Sequence, residues 1–176
     1  MPKVLISDSM SSVAQKIFEK NNISVDVKTG LSEEEIIKII PEYDGMVVRS
    51  ATKVTKNIIE AAKSFNIKRF IYFQTALCYG QKPLEQPITL NHPRIPSGSS
   101  YAITKTTNEL FLELSGIDYV TFRLANVIGP RNVSGPLPVF YNRLKLKQKC
   151  FVTKSRRDFV FVKDLAKVVL KACDGM

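Results

Sequence analysis

Short apolar runs alternate with amphipathic helical stretches along this chain. Segments 3–7, 23–27, 45–49, 67–74 and 119–124 read as strands, and 10–21, 32–41, 55–64 and 100–115 as helices. A further strand near 158–162 leads into a helix at about 163–173. Alternation of this kind confines the chain to a parallel sheet with helices on both faces, a three-layer α/β/α arrangement. The expectation is a single doubly wound α/β domain, with the 67–74 strand beside the 3–7 strand or at the sheet centre. Local signals agree. Ser32 and Glu35 form a capping box ahead of Ile36, Ile37, Ile39 and Ile40. Ser97-Gly98-Ser99-Ser100 supplies the cap for the 100–115 helix, and Gly116 ends it. On that helix Ile103, Leu110, Phe111 and Leu114 are expected to face the core. Pro83 to Pro96 holds four of the nine prolines and reads as a surface loop. The single histidine, His92, lies in that loop and is expected to be solvated rather than catalytic.

Composition narrows the function classes. At 176 residues and 44% apolar content, the chain is long enough for one domain with a sizeable core. It has no apolar run of about 18 residues, so no membrane partner is expected. The N-terminus enters a strand pattern directly, which argues against a signal peptide. Cys78, Cys150 and Cys173 are odd in number and widely spaced, so they read as reduced thiols of a cytoplasmic protein, without metal. Residues 1–63 carry nine basic and nine acidic side chains, whereas 64–176 carry 17 and seven, the whole excess of +10. The excess concentrates in 143–171, ten against two, interleaved with apolar residues such as Leu144, Leu146, Val160 and Phe161. That pattern reads as the solvated face of amphipathic elements. A share in binding a sugar diphosphate is the next reading, and no nucleic-acid motif accompanies the charge.

The chemistry lies in Tyr101-Ala-Ile-Thr-Lys105. Four-residue spacing puts a phenol and an ammonium on one helical face. Phenols ordinarily ionise near pH ~10, and a neighbouring ammonium favours the phenolate. Such a pair can exchange the proton of a sugar or alcohol hydroxyl while a cofactor handles the hydride. Upstream, Ile67 to Thr75 is an apolar strand ending in a hydroxyl residue, followed by a Tyr79-Gly80 turn. Downstream come Arg123-Leu-Ala-Asn126, Gly129-Pro-Arg131 and Arg157-Asp-Phe-Val-Phe-Val-Lys-Asp164.

In this order and spacing, these motifs resemble the extended short-chain dehydrogenase/reductases, the NAD-dependent epimerases and dehydratases of nucleotide sugars, over about 65–174. The resemblance implies a Rossmann-like fold, a catalytic group of Thr75, Tyr101 and Lys105, and nicotinamide-ribose contacts from Tyr101 and Lys105. It implies a nucleotide-sugar substrate met by Thr75 and Asn126, NAD or NADP as cofactor, and allows a homodimer. The chain stops before the C-terminal substrate part that extended members carry.

Residues 1–63 are different. MPKVLISDSMSSVAQKIF and DGMVVRSATKVTKNIIEAAK resemble the opening of the D-3-phosphoglycerate dehydrogenases. There the Val48-Arg49-Ser50 turn would help bind an anionic hydroxy acid, so Arg49 and Ser50 are substrate-binding candidates. The eight glycines are dispersed, and no glycine-rich dinucleotide turn exists anywhere in the chain. The first strand runs instead into Asp8-Ser9-Met10-Ser11-Ser12, good N-cap chemistry but poor pyrophosphate chemistry. The chain thus reads as two fragments, 1–63 and 64–176, joined where a helix ends and a strand begins. A truncated epimerase or dehydratase with impaired cofactor binding is the first reading. A hydroxy-acid dehydrogenase fragment and a non-catalytic fusion are the alternatives.

Overall fold

The computed structural model describes residues 1–49, 51–133, 135–154 and 156–174, the side chain of Asp174 excepted. It is an α/β chain that divides into two compact units, 1–70 with 107–119, and 71–106 with 120–174.

In the first unit, strand β1 (Lys3–Ile6) lies between β2 (Ser24–Val27) and β3 (Gly45–Val47), parallel to both. Helices α1 (Ser12–Lys20), α2 (Glu33–Ile39) and α3 (Lys56–Ser64) connect and follow these strands. The capping box forms as expected: Glu35 N–H donates to Ser32 Oγ at 3.2 Å, and Ser32 N–H donates to Glu35 Oε2 at 2.7 Å. The core gathers Ile36, Ile40, Ile58 and Ala61, with Leu31, Ile37, Met46 and Val54 packed against them.

Helix α3 explains why the following strand starts late. Asn66, at φ 53°, closes the helix in the left-handed region; Asn66 N–H reaches the Lys63 carbonyl at 3.0 Å and Ile67 N–H the Ala62 carbonyl at 3.2 Å. These paired bonds complete a Schellman motif. They commit the N–H groups of Asn66 and Ile67 to the helix end, so β4 runs over Phe70–Thr75 rather than from residue 67.

The second unit holds two ladders. Strand β4 pairs with β5 (Tyr119–Leu124), and β6 (Asn126–Ile128) pairs in parallel with β7 (Phe159–Phe161). Helices α5 (Pro136–Lys145) and α6 (Val162–Asp174) complete it. Helix α4 (Ser100–Ser115) contributes residues to both units. Among the described residues β4 pairs with β5 and not with β1, whose hydrogen-bonded neighbours are β2 and β3.

The buried face of α4 also differs from expectation. Ala102, Thr106, Glu109 and Leu112 are buried, while Ile103, Leu110 and Leu114 are 50%, 43% and 84% exposed. The two stripes have the same helical period and sit one residue apart. Tyr72 decides between them: its hydroxyl donates to the Lys105 carbonyl at 3.0 Å, which fixes the rotation of the first turns of α4 against β4.

Candidate functional site

Strand β4 ends in Thr75, and the first turns of α4 carry Tyr101 and Lys105. Thr75 ends β4 and caps the 3-10 turn Ala76–Tyr79, its Oγ1 accepting the Leu77 N–H at 3.3 Å. Accepting leaves its own hydroxyl hydrogen available for a ligand. Lys105 Nζ donates to the Phe73 carbonyl at 2.8 Å, two residues before Thr75, and sits 4.8 Å from the centre of the Tyr72 ring. Burial lowers the pKa of this ammonium below the ordinary lysine value. Tyr101 stands one turn earlier on α4 and is 56% exposed. Tyr72, which holds Lys105 from two sides, was not singled out by the motifs. Its alternation with Phe70 and Gln74 along β4 was the available signal.

Behind Thr75 the turn is locked. Tyr79 is buried, and its hydroxyl accepts from Arg123 Nη1 at 2.9 Å. His92 packs edge-on against the Tyr79 ring. His92 is 3% exposed, not solvated as its loop position suggested. Its Nε2 accepts the Leu84 N–H at 3.0 Å and its Nδ1 lies 2.8 Å from the Pro93 carbonyl. With Nδ1 protonated and Nε2 free, the neutral ring satisfies both partners. A ring that donates and accepts in this way ties the proline loop to itself, and such contacts leave no periodic trace in a sequence.

Asn126 begins β6 and lines a cavity of about 430 Å³ together with Arg131, Asn132, Gly135, Pro138 and Phe159. Its N–H and its Nδ2 both donate to the Asp158 carbonyl, at 3.2 and 3.0 Å. One Nδ2 hydrogen is thereby used on the residue before β7, and the second Nδ2 hydrogen and Oδ1 are left for a ligand.

The other candidates sit in the first unit. The Arg49 guanidinium donates to the Ser9 carbonyl at 3.0 Å. Ser50 lies outside the described residues. Asp8, only 2% exposed at the end of β1, receives the N–H groups of Arg49, Ala51 and Thr52 at 2.5, 3.2 and 2.8 Å. The Thr52 hydroxyl adds a fourth bond at 2.5 Å. Burial by itself raises this carboxyl's pKa. The bonds from the Thr52 hydroxyl and the three N–H groups outweigh it and hold the pKa below the ordinary aspartate value. A carboxyl depressed in the folded state stabilises fully above its unfolded pKa near ~3.9 and loses that contribution as pH falls through the folded value. Urea unfolding from about pH 6 down to about pH 2 should therefore weaken the natural chain more steeply than an Asp8→Asn chain. Equal acid slopes would contradict the clamp.

A Rossmann-like chain with a Tyr-x-x-x-Lys helix beside a strand-end threonine defines a class, and comparison with known proteins agrees. The description "NAD dependent epimerase/dehydratase family" matches residues 40–175, and this chain belongs to that family. The description "D-isomer specific 2-hydroxyacid dehydrogenase, catalytic domain" matches residues 4–69. The two matches overlap over 40–69, so the epimerase likeness begins well before the motifs that first revealed it. The pattern fits a fusion of two segments.

Among solved structures, the Bordetella bronchiseptica enzyme WbmH in complex with NAD+ is 41% identical, with a TM-score of 0.81 over 99% of this chain and 73% of that one. The enzyme WbmG of the same organism, in complex with NAD, is 27% identical, with a TM-score of 0.79 over 96% and 67%. A putative UDP-glucose 4-epimerase of Methanocaldococcus jannaschii is 29% identical over 75% of this chain and 46% of its own length. D-3-phosphoglycerate dehydrogenase of Synechocystis is 57% identical over 67 residues, 38% of this chain and 12% of the dehydrogenase. The chain thus spans a small part of one relative and about half of the other.

Proposed function

We propose that this chain carries the proton-handling group of a nucleotide-sugar epimerase or dehydratase, with its cofactor binding impaired. Tyr101, as phenolate, takes the proton of a sugar hydroxyl. Thr75 Oγ1 holds that hydroxyl in place, and Lys105 supplies the positive charge that favours the phenolate. The observation that carries this reading is the Lys105 Nζ bond to the Phe73 carbonyl. It sets the ammonium beside the end of β4, two residues from Thr75, with the exposed Tyr101 phenol one helical turn away. The second Nδ2 hydrogen of Asn126, with Arg131 in the same 430 Å³ cavity, is the proposed donor to the diphosphate end of the substrate.

The relatives WbmH and WbmG hold NAD. In dinucleotide-binding folds the turn after the first strand offers bare backbone N–H groups to the pyrophosphate. The residues present here do not fit that group. Ser11 Oγ accepts the Val13 N–H at 3.3 Å, capping α1, and the nearby donors of Arg49, Ala51 and Thr52 already hold the Asp8 carboxylate.

Calorimetric titration of the purified chain with NAD tests the reading. Affinity no tighter than about 1 mM, a binding free energy near −4 kcal/mol, is expected. Submicromolar affinity would mean that another loop has taken over the phosphate site and that cofactor binding is not impaired. The strong likeness of 1–63 to phosphoglycerate dehydrogenase favours a second reading for that segment alone, as the opening of a hydroxy-acid enzyme's substrate domain. Arg49 would bind the acid there.

A further inference from the structure

The ends of β1 and β3 hold an anion that the chain supplies itself. Asp8 Oδ2 accepts the N–H groups of Arg49 and Ala51, and Oδ1 accepts the N–H and the hydroxyl of Thr52. The Ser7 hydroxyl backs this arrangement, 3.0 Å from Thr52 Oγ1, and Ser7 is 2% exposed. Four donors thus converge on two oxygens of one buried carboxylate. No lysine or arginine side chain pairs with it among the described residues. The charge is held by backbone dipoles and a hydroxyl, the composition of an oxyanion nest. Charge-assisted bonds to N–H groups are the stronger kind, and leaving such buried donors unpaired is costly.

We propose that the N–H groups of Arg49, Ala51 and Thr52 and the Thr52 hydroxyl form an oxyanion-binding site of which Asp8 is the resident ligand, and that a free small carboxylate takes its place when Asp8 loses its side chain. The natural chain keeps the site shut, because no external anion competes with one that is covalently tethered at the same donors. This goes beyond the catalytic reading and does not rest on it: the donors and the carboxylate lie in the first unit, and the readout needs no turnover.

Size selects the ligand. Asp8→Ala removes a carboxylate and keeps the β-carbon, so the vacated space matches formate. Asp8→Gly removes the β-carbon too, so the space matches acetate. Inorganic phosphate, with four oxygens around a larger centre, fits neither as well.

The test is urea unfolding of the natural chain and of both variants in sodium formate, sodium acetate, sodium phosphate and sodium chloride at equal ionic strength. Both variants are expected to unfold at lower urea than the natural chain in chloride. Formate should restore Asp8→Ala, and acetate should restore Asp8→Gly. For free anion at about ten times its Kd, the folded-to-unfolded ratio rises about tenfold. The natural chain should respond to none of the organic anions beyond the chloride control. Recovery no larger than in chloride, or recovery without regard to size, overturns the proposal. Where a variant does not fold in chloride, refolding from urea in its matched anion is the same test: folding in the matched anion supports the site, and failure to fold there overturns it. Line broadening of carbon-13 formate by Asp8→Ala, absent with the natural chain, is the second, independent readout. A broadening equal in both chains counts against the site.

Discussion

Ile58→Ala should destabilise the chain by about 2–5 kcal/mol, the range for emptying a buried branched aliphatic site. Ile58 is 1% exposed near the start of α3, where it joins Ile36, Ile40 and Ala61 in the core of the first unit. Deleting its three outer carbons removes apolar burial and leaves a cavity, and the neighbours can relax only in part. Those neighbours are held from several sides. Thr55 Oγ1 caps α3 at the Ile58 N–H and donates to Glu33 Oε2 at 2.7 Å, at the start of α2. Asn108 Nδ2 reaches the Val54 carbonyl at 2.7 Å. With a whole-domain stability of about 5–15 kcal/mol, this loss is a large fraction of the total. Equilibrium urea unfolding followed by circular dichroism measures it. A cost under about 1 kcal/mol would mean that Ile58 is not a core residue.

Gly80→Ala is expected to cost about 2–4 kcal/mol, because strained backbone and a steric clash add. Gly80 adopts φ 84° and ψ 175°, a region closed to residues with a β-carbon. A β-carbon there would also lie 2.8 Å from the Ile95 carbonyl oxygen, and backbone cannot yield as a flexible side chain would. The glycine ends the 3-10 turn that Thr75 caps, so distortion at Gly80 should propagate to the Thr75 hydroxyl. Gly30→Ala is the control. Gly30 has φ 76°, but a β-carbon there would meet nothing within 4 Å, so it reports the backbone cost alone. If Gly80→Ala costs no more than Gly30→Ala, the close approach of Ile95 carries no weight and the turn is not locked as described.

The Tyr101–Lys105 spacing, the strand-end Thr75 and the Tyr79-Gly80 turn were legible because each rests on a local rule: helical period, strand length, turn chemistry. Two elements escaped. Helix α5 starts Pro136-Leu-Pro138, which reads as a breaker; yet its prolines fall in the first turn, where the missing N–H groups would have no helical partner. Strand β6 is three residues long, too short to show a period.

The alternation of strand and helix up to α4, the capping box at Ser32 and the one-turn spacing of Tyr101 and Lys105 were determined by the sequence alone, since they depend on neighbours within a turn or two. Three things were decided only by tertiary structure. Helix α4 buries Ala102, Thr106, Glu109 and Leu112 because Tyr72 holds Lys105 from β4; a period of 3.6 residues defines a stripe's spacing but not which of two adjacent stripes turns inward. His92 is buried because Leu84 and Pro93 fold back to meet both ring nitrogens. Asp8 read along the chain as the start of a turn with poor pyrophosphate chemistry. Folding brings it to donors more than 40 residues away, and there the carboxylate takes the position of a bound anion itself.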